Sequence, residues 1–187
     1  MLEKMMSERL EAEGTFEGAV RTIVRDVVAL QGAEYGDLQL LRNGDLVIVA
    51  EVGLTAEFLK TFMVVKSTDG CACGRALRER KSIIIEDVER DAEFAIYRSD
   101  ARAAGYRGVQ STPLMTSEGE VIGVISTLFA NPHVPTSIEM VTLRSYAVRA
   151  ADRLKALVGG PLASKAERMN AELCERFGIE PPARSAA

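Results

Sequence analysis

The stretch from Cys71 to Leu128 constrains the fold more than any other part of this 187-residue chain. It opens with CACGRALRER, in which a Cys-Gly pair starts a helix spanning roughly Cys73–Arg80. The apolar run Ser82–Ile85 follows and ends on the acidic turn Glu86–Asp87. From Asp91 to Gly105 the pattern is helical and rich in alanine, with Phe94, Ala95, Tyr97, Ala101 and Ala104 as its apolar members and Gly105 as its stop. Two long apolar runs, Val109–Met115 and Val121–Leu128, flank a polar SEGE turn and predict an antiparallel strand pair. A strand, a helical excursion and a hairpin in that order require a sheet with helices layered on it.

The flanks extend the same architecture. Residues 2–13 form a charged, amphipathic segment with Leu2, Met5, Met6 and Leu10 on one side. Gly14 breaks it, Thr15 supplies an N-cap, and Phe16, Val20, Ile23, Val24 and Val27 mark one face of a helix ending near Gly32. Leu38–Leu41 and Leu46–Val52 are joined by Arg-Asn-Gly-Asp, and the Asn43-Gly44 pair predicts a tight hairpin. Thr55 opens a short helix through Phe58, Leu59 and Phe62, and Met63–Val65 is an apolar run of open assignment. Beyond the second long strand, Thr136 and Glu139 form a capping box for a helix to about Leu157, which Gly159-Gly160-Pro161 ends. A further helix carries the stripe Leu162, Ala166, Met169, Leu173 and Phe177. The expected organisation is a helical extension over 1–14, a sheet domain over 15–158, a helix over 162–178 and a disordered tail over 179–187.

Composition narrows the function classes. A net charge of −4 without clustered Lys and Arg argues against a nucleic-acid partner. No apolar run reaches the ~18–20 residues of a membrane-spanning helix, and the acidic N-terminus is no secretory signal. Three cysteines, an odd number, suit a reducing cytoplasm better than a disulfide framework. A cytoplasmic protein is therefore expected.

Four segments, in order, resemble a GAF domain, especially the sensor domains of bacterial histidine kinases: AEYGDLQLL, CACGRAL, IIIEDV and GVQSTPL with GEVIGVIS. The resemblance covers roughly Phe16–Leu157. It implies an α/β (α+β) fold of the GAF/PAS kind, with a central antiparallel sheet of five to six strands. Terminal helices would pack on one face and ligand-covering helices on the other. By the same resemblance, a small-molecule site on one sheet face would be walled by Cys73, Ala76, Asp87, Phe94, Tyr97 and Tyr106, with Gln110, Ser111, Thr112, Ser126 and Leu128 from the last strand pair. Strand alternation sends Gln110 and Thr112 one way and Ser111 the other, and the sequence leaves open which set meets the ligand.

Chemistry at Cys71 and Cys73 is the main rival reading. A thiolate at a helix N-terminus is stabilised by the exposed amides. GAF-type reductases of free methionine sulfoxide resemble this chain in placing a cysteine at the Cys-Gly helix start, but their second cysteine has no counterpart in Asp91–Gln110. The expectation is a non-enzymatic sensor with no catalytic residues. No metal site is expected, because the single histidine, His133, sits between prolines away from the site. The ligand is left unknown. Haem is disfavoured for want of a placed histidine, cyclic nucleotides for want of an Asn-Lys-Phe-Asp-Glu signature, and bilin for want of a Cys-His pair. In kinases of this family the last helix continues into a transmitter, whereas Gly159-Gly160-Pro161 interrupts it here. Output is expected through a homodimer built on the terminal helices, or through a kinase or other signalling partner; a ligand-free dimerisation scaffold is the bland alternative. The stripes Phe16–Val27 and Ile138–Leu157 suit such a dimer, and equally suit packing on the sheet.

Overall fold

The computed structural model describes residues 2–183; the side chain of Leu2 and residues 184–187, where part of the expected disordered tail falls, lie outside the described residues. Six strands form one antiparallel sheet in the order β3-β2-β1-β6-β5-β4: β1 Tyr35–Arg42, β2 Asp45–Val52, β3 Val64–Val65, β4 Ile83–Ile85, β5 Gly108–Met115 and β6 Val121–Phe129. The β1–β2 hairpin turns on Asn43 (φ 53°) and Gly44 (φ 93°), the left-handed pair that such a two-residue turn needs. The run Met63–Val65 resolves as a short edge strand opposite Leu46 and Val47.

Both faces of the sheet are covered, so its central strands alternate between two cores. On one face lie α1 (Leu2–Ala12), α2 (Phe16–Gln31) and α6 (Ser137–Leu157). Their buried side chains, among them Met6, Leu10, Phe16, Ile23, Tyr146 and Leu154, pack with Leu38, Leu40, Leu114 and Ile125. On the other face lie α3 (Ala56–Phe62), α4 (Ala72–Glu79) and α5 (Arg98–Ala104), packed with Ile83, Ile85, Val109, Val124 and Leu128. The Thr15 hydroxyl accepts from the Gly18 amide at 3.1 Å, and the Thr136–Glu139 capping box is formed at both of its hydrogen bonds. The Tyr146 hydroxyl donates to the buried Asp26 carboxylate at 2.9 Å, and Arg9 pairs with the same group at 3.1 Å. One acidic side chain thus holds α1, α2 and α6 together.

Two details depart from the sequence reading, the start of one helix and the direction of Met5, and a choice it left open is decided for α2. The helix expected from Asp91 begins only with a 3₁₀ turn at Ala95–Tyr97, continued by α5. Asp91 instead accepts from the Phe94 amide at 3.0 Å and grips Arg75, which turns the chain before it coils. The stripe of α2 is spent inside the fold, with Phe16, Val20, Ile23, Val24 and Val27 all buried against the sheet. Of α6, only Ile138 and Val141 remain as large exposed apolar side chains, 79% and 67% exposed. Met5, expected on the buried side of α1 with Met6 and Leu10, points outward.

The last helix, α7 (Leu162–Phe177), joins the terminal helices only through its first half, where Lys165 and Arg168 pair with Glu17 of α2. Ala166 and Met169 pack in the first core, whereas Leu173, Cys174 and the following Ile179 pack in the second, so α7 spans the β2 side of the sheet. The cause is the shortness of β3, which covers only Leu46 and Val47. Past it, the Asn170 side-chain amide donates to the Ile48 carbonyl at 2.7 Å and takes the place of a neighbouring strand. Among the described residues, no helix is long and apolar enough to cross a membrane.

Leaving the Ile48 carbonyl without this buried donor should destabilise the fold by about 1–3 kcal/mol. Urea unfolding of Asn170→Ala is expected to show that loss, while Ile138→Ala stays within about 0.5 kcal/mol of the parent.

Candidate functional site

The middle of the second core holds a small cavity with buried walls, bounded by β1, β5 and β6 below and by α3, α4 and the 3₁₀ turn above. Strand pleating decides which side chains reach it. Asp37 and Gln39 project from β1, Val109 and Ser111 from β5, and Ser126 and Leu128 from β6. The lid contributes Phe58 and Phe62 from α3, Cys71, Ala72 and Cys73 from the start of α4, then Phe94 and Tyr106. The first turn of α4 is seated on the loop that precedes it through Gly74, where a Cβ would lie 2.6 Å from the Lys66 carbonyl and 2.7 Å from that of Asp69.

The lid is aromatic and continuous. Phe58 lies 4.7 Å from Phe62, Phe62 5.3 Å from Tyr97, and Tyr97 5.5 Å from Phe94. Phe94 lies 6.4 Å from Tyr106, which closes the circuit 6.0 Å from Phe58. The free volume beneath it is about 20 Å³, room for one water-sized group.

The floor is polar and incompletely satisfied. The hydroxyls of Ser111 and Ser126, 2.8 Å apart, serve each other. Asp37 is 3% exposed and Gln39 1%, and the Oδ1 of the first and the Oε1 of the second have no hydrogen-bond partner. Buried acceptors of this kind are rare in native proteins, because each forfeits its hydration. Burial, aided by Glu51 on the neighbouring strand, pushes the Asp37 carboxyl up to about 8. Among the described residues no cation offsets it: Arg176 is engaged with Glu51 at 2.6 Å.

The two thiols form a pair, with sulfurs 3.5 Å apart. Cys71 caps α4, and its pKa is lowered chiefly by the hydrogen bond from Cys73 and further by the Gly74 amide. The same contact, together with burial, raises Cys73 well above the ordinary thiol range. Cys174 lies apart, its sulfur against Met63 and Asn170.

Of the residues expected around a ligand, Cys73, Phe94, Tyr106, Ser111, Ser126 and Leu128 line the cavity. Gln110 and Thr112 do not, because the pleat that turns Ser111 inward turns them to the opposite face. There the Gln31 side-chain amide donates to Gln110 at 2.9 Å, while Thr112 meets Ser82 at 3.1 Å. Ala76 is buried in the lid core without reaching the cavity, and Tyr97 completes the aromatic circuit from behind Phe62 and Phe94. Asp87 lies outside, clamped by Arg107 at 2.9 and 2.5 Å and accepting from the Glu89 amide in an Asx-type turn. Arg107 holds its carboxyl below the usual range. His133 stacks on Phe129, ring centroids 3.7 Å apart, remote from the cavity walls. Sequence reasoning overlooked Asp37 and Gln39, although two polar residues alternating with Leu38 and Leu40 on a strand covered on both faces carry the signal.

A curled six-stranded sheet with a lidded cavity on one face and a helical layer on the other narrows the family, and the GAF-domain sequence profile matches residues 13–154. The chain belongs to the GAF family. None of the curated proteins compared with it matches by sequence. Solved GAF structures superpose well at low identity. The GAF domain of a Coxiella burnetii phosphoenolpyruvate-protein phosphotransferase gives a TM-score of 0.72 at 17% identity, over 83% of this chain and 91% of that one. Free methionine-R-sulfoxide reductase from Neisseria meningitidis, solved with its substrate, gives 0.67 at 14%, over 88% and 89%. The chromophore-binding domain of a bacteriophytochrome from R. palustris gives 0.64 at 15%, over 84% and 60%. These likenesses establish the fold.

Asp37 gives this GAF domain a measurable pH dependence. A carboxyl whose folded pKa is raised from 3.8 to about 8 binds more protons folded than unfolded between those values. Its contribution therefore falls as pH rises through that window, by up to roughly 1.4 kcal/mol per unit. Asp37→Asn is expected to flatten the decline and to exceed the parent in melting temperature above pH 8, as followed by thermal unfolding across pH 5–9.

Proposed function

We propose that this GAF domain is a sensory module that binds a small effector under the aromatic lid and passes the change to its terminal helices. The observation that carries this reading is the pair of unpartnered acceptors, Asp37 and Gln39, in a small buried cavity roofed by aromatic rings. An apolar enclosure with a few convergent polar groups is the general form of a small-molecule site. The cavity at its present size holds only a small group, so a larger effector would lift α3 or the 3₁₀ turn.

A route to the other face runs through the strands themselves. Gln110 and Thr127 stand back to back with Ser111 and Ser126, and both bond Gln31 at the end of α2: Gln31 donates to Gln110 at 2.9 Å, and Thr127 donates to Gln31 at 2.5 Å. Gln110 also reaches Met140 on α6 at 3.3 Å. A shift of β5 against β6 beneath a ligand would thus be felt by α2 and α6. Exposed Ile138 and Val141 on α6 offer the surface for a homodimer or a signalling partner, consistent with an acidic protein working in the cytoplasm.

Native mass spectrometry of the purified protein tests the reading. An added mass that leaves on denaturation, and is absent from Ser111→Leu, is the expected result; an apo mass in both, with no metabolite altering either melting temperature, would favour a ligand-free scaffold. In sedimentation at micromolar concentration, Val141→Glu is expected to convert a dimer to a monomer, and an unchanged species would remove α6 from the interface.

One observation favours a second reading. The sulfurs of Cys71 and Cys73 lie 3.5 Å apart at the cavity wall, so a sulfoxide bound there could be reduced to sulfide and water while the two thiols become a disulfide. The sensor reading expects no turnover of free methionine sulfoxide with dithiothreitol as reductant. Turnover that disappears in Cys73→Ser would replace it with the enzymatic one.

A further inference from the structure

The effector's chemical class can be read from what the cavity lacks. Asp37 and Gln39 present a carboxyl oxygen and an amide oxygen with no hydrogen-bond partner, in a site where the neighbouring serine hydroxyls already bond each other. The surrounding groups supply no positive charge: the cross-strand neighbours of Asp37 are Glu51 and Ser126, and the groups facing it from the lid are Cys71, Cys73 and Tyr106. Above them stands the closed circuit of five aromatic rings, whose π faces attract cations and whose bodies accept hydrocarbon.

We propose that the cavity is a receptor for a small organic cation bearing N–H donors, a primary ammonium or a guanidinium head group, with Asp37 and Gln39 as its acceptors and the aromatic circuit as its roof. This rests on the sensory reading of the same site. A quaternary ammonium would gain the rings yet leave both acceptors unpaired, and an anion would meet an acidic side chain and, among the described residues, no cation. The present volume, about 20 Å³, fits the head group alone, so the carbon chain of such a ligand displaces part of the lid. The overall charge of −4 draws cations toward the domain without selecting among them.

The test uses matched probes and amide chemical-shift mapping on the full chain: propylammonium, methylguanidinium, tetramethylammonium, propionate and propionamide, each to tens of millimolar. Propylammonium and methylguanidinium are expected to move the Asp37, Gln39, Tyr106 and Ser126 amides, and the other three to leave them in place. Asp37→Asn, which keeps the shape and relieves the buried carboxyl, should weaken methylguanidinium by tenfold or more. In the parent, methylguanidinium, charged throughout, should bind roughly ninetyfold more tightly at pH 9 than at pH 6, the gain in ionised Asp37 across a pKa of about 8, and Asp37→Asn should lose that dependence; because the Cys71 and Cys73 thiols also face the site, a dependence that survives the substitution would belong to them and overturn the assignment. Propionamide or propionate moving the same amides as strongly as propylammonium would overturn the cationic class and leave the sensory site standing. No probe moving them would remove both.

Discussion

Everything about the site follows from the position of β6. This strand lies between β1 and β5, and every one of its residues is buried. A strand covered on both faces cannot slip by one residue without exchanging its two sets of side chains, so its register is held by both cores at once. That register places Ser126 opposite Asp37 and Ser111, and Thr127 opposite Gln110. The cavity floor and the polar cluster behind it are therefore two sides of one pleat. Neither can be moved by a register change without destroying the other.

Much of this was legible in the chain. Periodicity located the helices, and turn chemistry located the first hairpin at Asn43-Gly44. The capping residues Thr15 and Thr136 fixed two helix starts to the residue. Four motif segments led to the GAF family, which the sequence profile supports over residues 13–154. Where the reading fell short, tertiary contacts had overridden local pattern. Asp91 suits the first turn of a helix, but its bonds to Arg75 and to the Phe94 amide make a different turn. The α7 stripe looks like any amphipathic helix, and only the shortness of β3 tells it to cross the β2 side of the sheet.

The site was less legible, for a stated reason. Alternation along GVQSTPL separates Ser111 from Gln110 and Thr112 but carries no label saying which face is roofed by the lid. Pairing with β1 and β6 supplies that label, and it assigns Gln110 to the helical face, where its contacts with Gln31 and Met140 give it another use. The residues with the greatest chemical interest, Asp37 and Gln39, sit in a segment read mainly for its strand. Their interest lies in bonds they do not make, and sequence patterns report only on groups that are present.

The crossing of α7 has a consequence for how molecules of this kind can add to one another. A sheet with two open margins can join its neighbours without limit, each new copy offering a fresh margin to the next. Here Asn170 occupies the Ile48 carbonyl beyond the short β3, while β4 at the far end carries no further strand and presents the half-exposed Ile84. On one side α7 takes up part of the hydrogen-bonding margin, and on the other β4 leaves it open among the described residues. Any union made strand to strand through β4 thus consumes the free side of both copies, and growth by that route halts at two.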